Sequence, residues 1–238
     1  NTCLDLKVLG VHVDGAMTKR IAVRADKLHR VPNGLSLRDA ALAEPLGIGF
    51  HAAGRGRIEK GQKVFIIGSG TIGRAVLAGA IQRGAHTAIS ELIQPRREAA
   101  RALGAELALN AADPAAMRQA LLDWTAGRGP DVVVEAVGIP ETIQQSFDLV
   151  RPGGTVVLVG MSNRPVPLVT KPIMAKELNV YASRNSTAVL DSLLAALAAR
   201  RINAASFISH EIPLADAPST ISDMCDNPYR YLKVLLQV

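Results

Sequence analysis

Strands that alternate with helices predict an α/β fold, a doubly wound sheet of six parallel strands flanked by pieces of a second unit. Three observations carry this. Six short β-branched or aliphatic runs, at residues 63–67, 87–91, 106–110, 131–137, 155–160 and 179–183, each end in a turn signal. Between most of them lie Ala-, Leu- and Arg-rich stretches of helical period, at 72–83, 96–103, 115–125 and 141–150. The strands are apolar almost throughout, as a parallel sheet covered by helices on both faces requires.

The remaining segments have a different texture. Residues 1–43 offer a turn at Asp14-Gly15, a strand-like piece at 18–24 and a turn at Pro32-Asn33-Gly34, without βα alternation. A helix is expected to start at Pro45, since proline suits a first helical turn. The crossover at 161–178 is Pro-rich and reads as loop, and residues 205–238 read as a strand (207–212), a helix (216–225) and a strand (232–238). The expected division is therefore 1–47, 48–184 and 185–238, with the first and last pieces belonging to one unit.

Composition narrows the class. A chain of 238 residues with 48% hydrophobic content has material for one or two domains. Its two cysteines, Cys3 and Cys225, form no disulfide framework and no C-x-x-C spacing, which predicts a reducing, cytoplasmic setting. Apolar runs are too short for a bilayer span and no signal-peptide pattern opens the chain, so no membrane partner is expected. The net charge of +6 comes from scattered basic residues with only 3% aromatics, and no nucleic-acid partner is expected. The chain opens at Asn1 without methionine, so a processed or incompletely represented product is expected.

The strand at 63–67 runs into Gly68, Ser69, Gly70, Thr71, Ile72 and Gly73, the G-x-G-x-x-G spacing. Such a turn lets backbone approach a pyrophosphate, and the following helix start supplies N–H groups and a favourable dipole end. On its own the motif is weak; between a strand and a helix of a βαβ unit it reads as a dinucleotide site. Glu91 ends the next strand, 23 residues after Gly68, near the ~20-residue spacing of the acid that binds the adenine ribose. A carboxylate there repels a 2′-phosphate and favours NAD, while Arg96 and Arg97 close by keep NADP as an alternative. Ala136, Val137 and Gly138, with Val159, Gly160 and Met161, end the fourth and fifth strands, where open α/β sheets hold ligands. They are expected on the nicotinamide half, or else mark ordinary glycine punctuation.

Ala43-Glu44-Pro45-Leu46, His51-Ala52 and Gly61-Gln62-Lys63-Val64 ahead of the glycine turn resemble the zinc-type medium-chain alcohol dehydrogenases. So do the runs 131–138 and 151–160, Ser183-Arg184-Asn185-Ser186, the run 210–214 and Leu232-Lys233-Val234-Leu235. The likeness extends from Asn1 to Val238 in order, and is greatest to the sorbitol, threonine and sugar-acid (L-galactonate or L-gulonate type) dehydrogenases. It implies a Rossmann domain beside part of a mainly-β GroES-like catalytic domain, NAD and zinc as cofactors, and oxidation of a secondary alcohol. It also implies cofactor contacts for Ser183 and Arg184, and a homodimer or homotetramer joined through the sixth strand.

The family's main catalytic zinc ligands, a cysteine and a His-Glu pair, correspond to positions before Asn1. What the resemblance leaves for zinc is Glu44, which matches a glutamate able to approach the metal, and Cys3, which matches the last cysteine of a structural zinc lobe. Glu44 and His51 lie seven residues apart and share a helix face, so both are catalytic candidates; a dipole contact for Glu44 and a packed imidazole for His51 are the alternatives. Arg184 and Asn185 are candidate substrate contacts, and the guanidinium suits a sugar-acid carboxylate. At 14–20 the sequence departs from the family pattern. Two further readings stay open: a zinc-independent NADPH reductase of quinones or enones, and a non-catalytic NAD-binding module.

Overall fold

The computed structural model describes every residue from Asn1 to Val238. After a 3-10 turn at Ala25–Lys27 come the short helix α1 (Leu37–Ala40) and α2 (Ala43–Arg55). Then follow β1 (Lys63–Ile67), α3 (Thr71–Gln82), β2 (His86–Glu91), α4 (Gln94–Ala102), β3 (Leu107–Asn110), α5 (Pro114–Trp124), β4 (Val132–Glu135) and α6 (Pro140–Leu149). The chain continues through β5 (Thr155–Leu158), α7 (Thr170–Ala175), β6 (Asn179–Ala182), α8 (Leu190–Ala198), β7 (His210–Pro213), α9 (Ala217–Asp226) and β8 (Val234–Gln237). It divides into two compact units, Glu44–Ser186 and the pair Asn1–Ala43 with Thr187–Val238; the expected cuts stood at 47/48 and 184/185.

In the larger unit six parallel strands lie in the order β3-β2-β1-β4-β5-β6, the doubly wound topology that the sequence predicts. Period-two alternation sends successive residues of each strand to opposite faces, and both faces are dry. Val64, Ile66, Val132, Val134 and Val157 pack with Ala52 and Ala53 of α2 and with Val76, Leu77 and Ala80 of α3. Phe65, Ile67, Val133 and Val156 pack on the other face with Met117 and Leu121 of α5 and Ile143 and Phe147 of α6. Each fully buried Val, Ile, Leu or Phe contributes about 1.5–3 kcal/mol, which makes β1 and β4 the anchor of the fold. The order reverses between β1 and β4, so the chain leaves Ile67 at the switch point, with Ser90 and Glu135 as its register partners on either side.

In the smaller unit β7 pairs with β8 in parallel, His210 opposite Val234. Leu193, Leu194, Ala196 and Leu197 form the buried face of α8. The Arg38 guanidinium donates to Glu211 at 2.7 Å and to Asp39 at 2.8 Å, tying the first segment to β7.

Several local expectations need correction. The crossover 161–178 is not all loop: α7 forms with Pro172 in its first turn, where the missing N–H has no intrahelical acceptor to lose. Helix α8 was not expected at all. Residues 18–24 form no strand, because no neighbouring strand lies alongside to complete a ladder. The early turn falls at Gly10, bridging Leu9 and Val13, and not at Asp14-Gly15. Phe207 sits in a 3-10 turn ahead of β7, and α2 begins at Ala43, two residues before Pro45. Strands β4 and β5 end at Glu135 and Leu158, so Ala136, Val137, Val159 and Gly160 belong to loops.

Candidate nucleotide-binding site

The site begins where β1 stops. Gly68 takes a left-handed φ of +96°, and its N–H donates to the Ser90 carbonyl at 3.0 Å, which turns the chain across the end of β2. A β-carbon on Gly68 would lie 2.7 Å from a Val137 methyl, and one on Gly73 would lie 1.9 Å from the Gly68 carbonyl oxygen. Gly73 therefore lets α3 seat directly on the turn. A β-carbon on Gly70 would meet nothing within 4 Å, so the space above the second glycine is open. Gly70 is also the N-cap of α3 and supplies no side-chain acceptor, which makes the helix start at Thr71 and Ile72 a place that favours an anion.

Glu91 closes the β2 side. One carboxylate oxygen accepts from the Ser69 N–H at 3.2 Å, and the other accepts from the N–H groups of Leu92 at 2.8 Å and Ile93 at 3.2 Å. The group is thereby held at the end of its strand, beside the turn. Beneath it lies Arg74, only 4% exposed, with Nε donating to the Ser69 hydroxyl at 3.4 Å and Nη2 to the Arg96 carbonyl at 3.5 Å. Burial pulls its pKa down, the Arg96 charge adds to this, and the Glu91 charge opposes both. Arg74 escaped the sequence reading because a charged residue on a helix reads as solvated; its one signal is its place directly after Gly73, on the face that meets the sheet.

These residues border a cleft of about 500 Å³, the size of a small-ligand pocket. Gly68, Gly70, Ser90, Glu91, Arg96, Ala136 and Val137 line it. Ser90 is 1% exposed and its hydroxyl has no hydrogen-bond partner, an orphan in the wall of the cleft. An open second glycine, a helix start without a side-chain cap, a fixed carboxylate and an unpartnered hydroxyl together fit the phosphates and sugar of a nucleotide.

The opposite wall rests on Glu135, which sequence reading did not single out. It ends β4 fully buried at 0% exposure. Its Oε1 accepts from the N–H groups of Val137 and Gly138, each at 2.9 Å, and lies 2.8 Å from the Thr142 hydroxyl. Gly138, at φ +84°, is pressed against the other loop: a β-carbon there would lie 2.7 Å from the Met161 nitrogen.

The other sequence candidates lie elsewhere. Val159 and Gly160 follow β5, and Met161 is 85% exposed. Ser183 is buried after β6 with its hydroxyl unpartnered, while Arg184 and Asn185 beyond it are exposed. None of these six lines the cleft at the glycine turn. Glu44 and His51 share α2, Glu44 exposed and His51 half-buried, and burial together with the nearby Arg55 charge lowers the His51 pKa. Cys3 is an exposed free thiol in the smaller unit.

Zinc does not fit the residues of this chain. A zinc site takes four donors when structural and three protein ligands when catalytic, and no group of three or more His, Cys, Asp or Glu side chains is assembled here. No helix is long and apolar enough to cross a membrane.

The fold and the site define a dinucleotide-binding α/β protein of the doubly wound class. Residues 71–199 match the family model for zinc-binding dehydrogenases. An uncharacterised zinc-type alcohol dehydrogenase-like protein of Haemophilus influenzae is 37% identical over 98% of this chain and 68% of its own length. The 2-dehydro-3-deoxy-L-galactonate 5-dehydrogenase of Pseudoalteromonas atlantica is 34% identical over 95% of this chain and 66% of its own. Among solved structures, one from Sinorhizobium meliloti 1021, described as a zinc-binding dehydrogenase and bound to NADP, superposes with a TM-score of 0.91. It is 28% identical over 100% of this chain and 70% of its own. The chain belongs to the zinc-type medium-chain alcohol dehydrogenase family, and it spans about two thirds of the length of the two relatives named.

Proposed function

We propose that this chain binds NAD across the glycine turn and serves hydride transfer between NAD and a secondary alcohol of a polyol or sugar acid. The observation that carries the NAD reading is Glu91: its carboxylate is fixed by three backbone amides beside the turn, where it accepts ribose hydroxyls and repels a 2′-phosphate. The substrate class rests on likeness to the galactonate-derivative dehydrogenase.

Bound at the turn, NAD would supply the acceptor for a hydride from the carbinol carbon, and the alcohol hydroxyl would have to give up a proton. His51, kept neutral near pH 7 by its lowered pKa, is the residue of this chain suited to take that proton, and Glu44 lies on the same helix face two turns earlier. Arg184 and Asn185, exposed after β6, are assigned to substrate carboxylate or hydroxyl groups. Zinc chemistry is assigned to no residue here. Association of two or four copies through the edge strand β6, whose residues are mostly exposed, completes the proposal.

Arg96 in the cleft wall and the NADP-bound relative favour a second reading, NADP use. Titration with NADH and NADPH, followed by nicotinamide fluorescence, separates the two. Tighter NADH binding by about tenfold, or 1.4 kcal/mol, is expected; a preference for NADPH overturns the NAD reading. NAD reduction with a panel of polyols and sugar acids tests the substrate class.

A further inference from the structure

We propose that Glu135 is a positioning residue that sets both loops of the nicotinamide half without touching the cofactor; the inference rests on the nucleotide reading above. A dinucleotide whose pyrophosphate sits at the β1 turn lays its adenosine over β2, where Glu91 waits, and its other half over the ends of β4 and β5. Two loops leave those ends, one through Val137 and Gly138, the other through Val159, Gly160 and Met161.

Glu135 holds both. Its carboxylate takes the N–H groups of Val137 and Gly138 at 2.9 Å each, and its backbone carbonyl takes those of Val159 at 2.9 Å and Gly160 at 3.1 Å. Four amides of two separate loops thus refer to one residue. The loops also meet each other without side chains between them. A β-carbon on Gly160 would lie 2.2 Å from the Gly138 nitrogen and 2.6 Å from Glu135 Oε2. Val137, displayed by this arrangement, is 46% exposed and reaches the glycine turn at Gly68.

Space filling alone does not account for the residue. Glu135 continues a strand whose other members, Val132, Val133 and Val134, are buried and apolar, and burying a carboxylate there carries a desolvation cost. Its second oxygen, Oε2, has no hydrogen-bond partner. An apolar residue would spare that cost and leave the Val137 and Gly138 amides without their acceptor. The carboxylate is what gives the loop one conformation, and a pre-set loop lowers the ordering cost of binding.

The test compares NADH with ADP-ribose, which carries the pyrophosphate and adenosine but lacks nicotinamide, by calorimetry on the full chain and on Glu135→Leu. The substitution keeps a similar volume and leaves the Val137 and Gly138 amides without their acceptor. Expected is unchanged ADP-ribose affinity with NADH weakened about tenfold. Equal weakening of both ligands, or of neither, overturns the proposal. Thr142→Val, which removes one contact to Oε1 and one to the Ile139 carbonyl and leaves the carboxylate in place, gives the same selective loss at about threefold; absence of that selectivity also overturns it. Failure of the unsubstituted chain to bind ADP-ribose would instead overturn the nucleotide reading itself, and this inference with it.

Discussion

The carbonyl oxygen of Gly68 occupies the place where a β-carbon of Gly73 would sit, at 1.9 Å, while a β-carbon of Gly70 in the same turn would meet nothing within 4 Å. Two glycines of one motif therefore do separate work. Gly73→Ala forces α3 off the turn and is expected to cost about 1–3 kcal/mol of stability, with loss of NADH binding. Gly70→Ala, at an ordinary φ of −73°, costs no more than about 1 kcal/mol as a poorer N-cap but weakens NADH by about tenfold, because the new methyl enters the ligand's space. Urea unfolding beside NADH titration reads both; a Gly70→Ala chain that binds as tightly as the original would show that no phosphate approaches there.

On the proposed reading, the charge of Glu91 sets the choice between cofactors. Glu91→Gln keeps an amide oxygen for the Leu92 and Ile93 N–H groups, gives up the acceptor at the Ser69 N–H, and removes the negative charge from the cleft that Arg96 also lines. The ratio of NADPH to NADH affinity is expected to rise about tenfold or more, since charge-assisted hydrogen bonds are roughly twice as strong as neutral ones. Parallel fluorescence titrations check it, and an unmoved ratio would place the ribose away from Glu91.

How far the site is legible in the sequence depends on whether a residue obeys its local pattern. Gly68, Gly70, Gly73 and Glu91 keep the spacing of strand, turn, helix and strand, and the structure gathers all but Gly73 along one cleft, with Gly73 beneath it. Arg74 and Glu135 break their patterns, a cation on a buried helix face and a carboxylate closing a valine strand. Their burial is set by chain segments distant in sequence, and the one local hint is the place of Arg74 directly after Gly73. The same holds for the elements: β1 to β6 carry their own apolar runs, whereas α7 hides behind Pro172, and residues 18–24 have strand-like composition without a pairing partner. Ser183, Arg184 and Asn185 follow β6, two strands from β4, and none of them lines this cleft.

Lys176 fastens the far end of α6. Its ammonium donates to the carbonyls of Phe147 at 2.9 Å, Asp148 at 3.0 Å and Val150 at 3.0 Å, acceptors that the helix end leaves unpaired. Lys176→Met keeps the stem and removes all three bonds. A loss of about 1–3 kcal/mol in urea unfolding is expected, with NADH affinity unchanged because the contact lies at the opposite end of α6 from Thr142 and the cleft. A coupled loss of NADH binding would mean that α6 transmits strain to the site.

Glu106 gives the fold a pH dependence whose sign follows from its surroundings. Burial pushes its pKa up, but the Trp124 indole N–H at 2.9 Å, the His86 ring and the Lys63 ammonium outweigh that and hold it below the ordinary 4.5. A carboxyl with a folded pKa below its unfolded value stabilises the fold while ionised. That contribution is complete above about 4.5 and disappears as pH falls through the lowered folded value, where both states are protonated. Glu106→Gln removes the charge at every pH, so the chain with Glu106 is expected to be the more stable at pH 7 and the gap to close on acidification below 4.5. Because the side chain is 41% exposed, added salt should also narrow the gap. Urea midpoints of the two chains between pH 7 and pH 3 decide it: a difference that persists undiminished at the acid end, or grows with acidification, would assign the stabilisation to packing against Trp124 and not to charge.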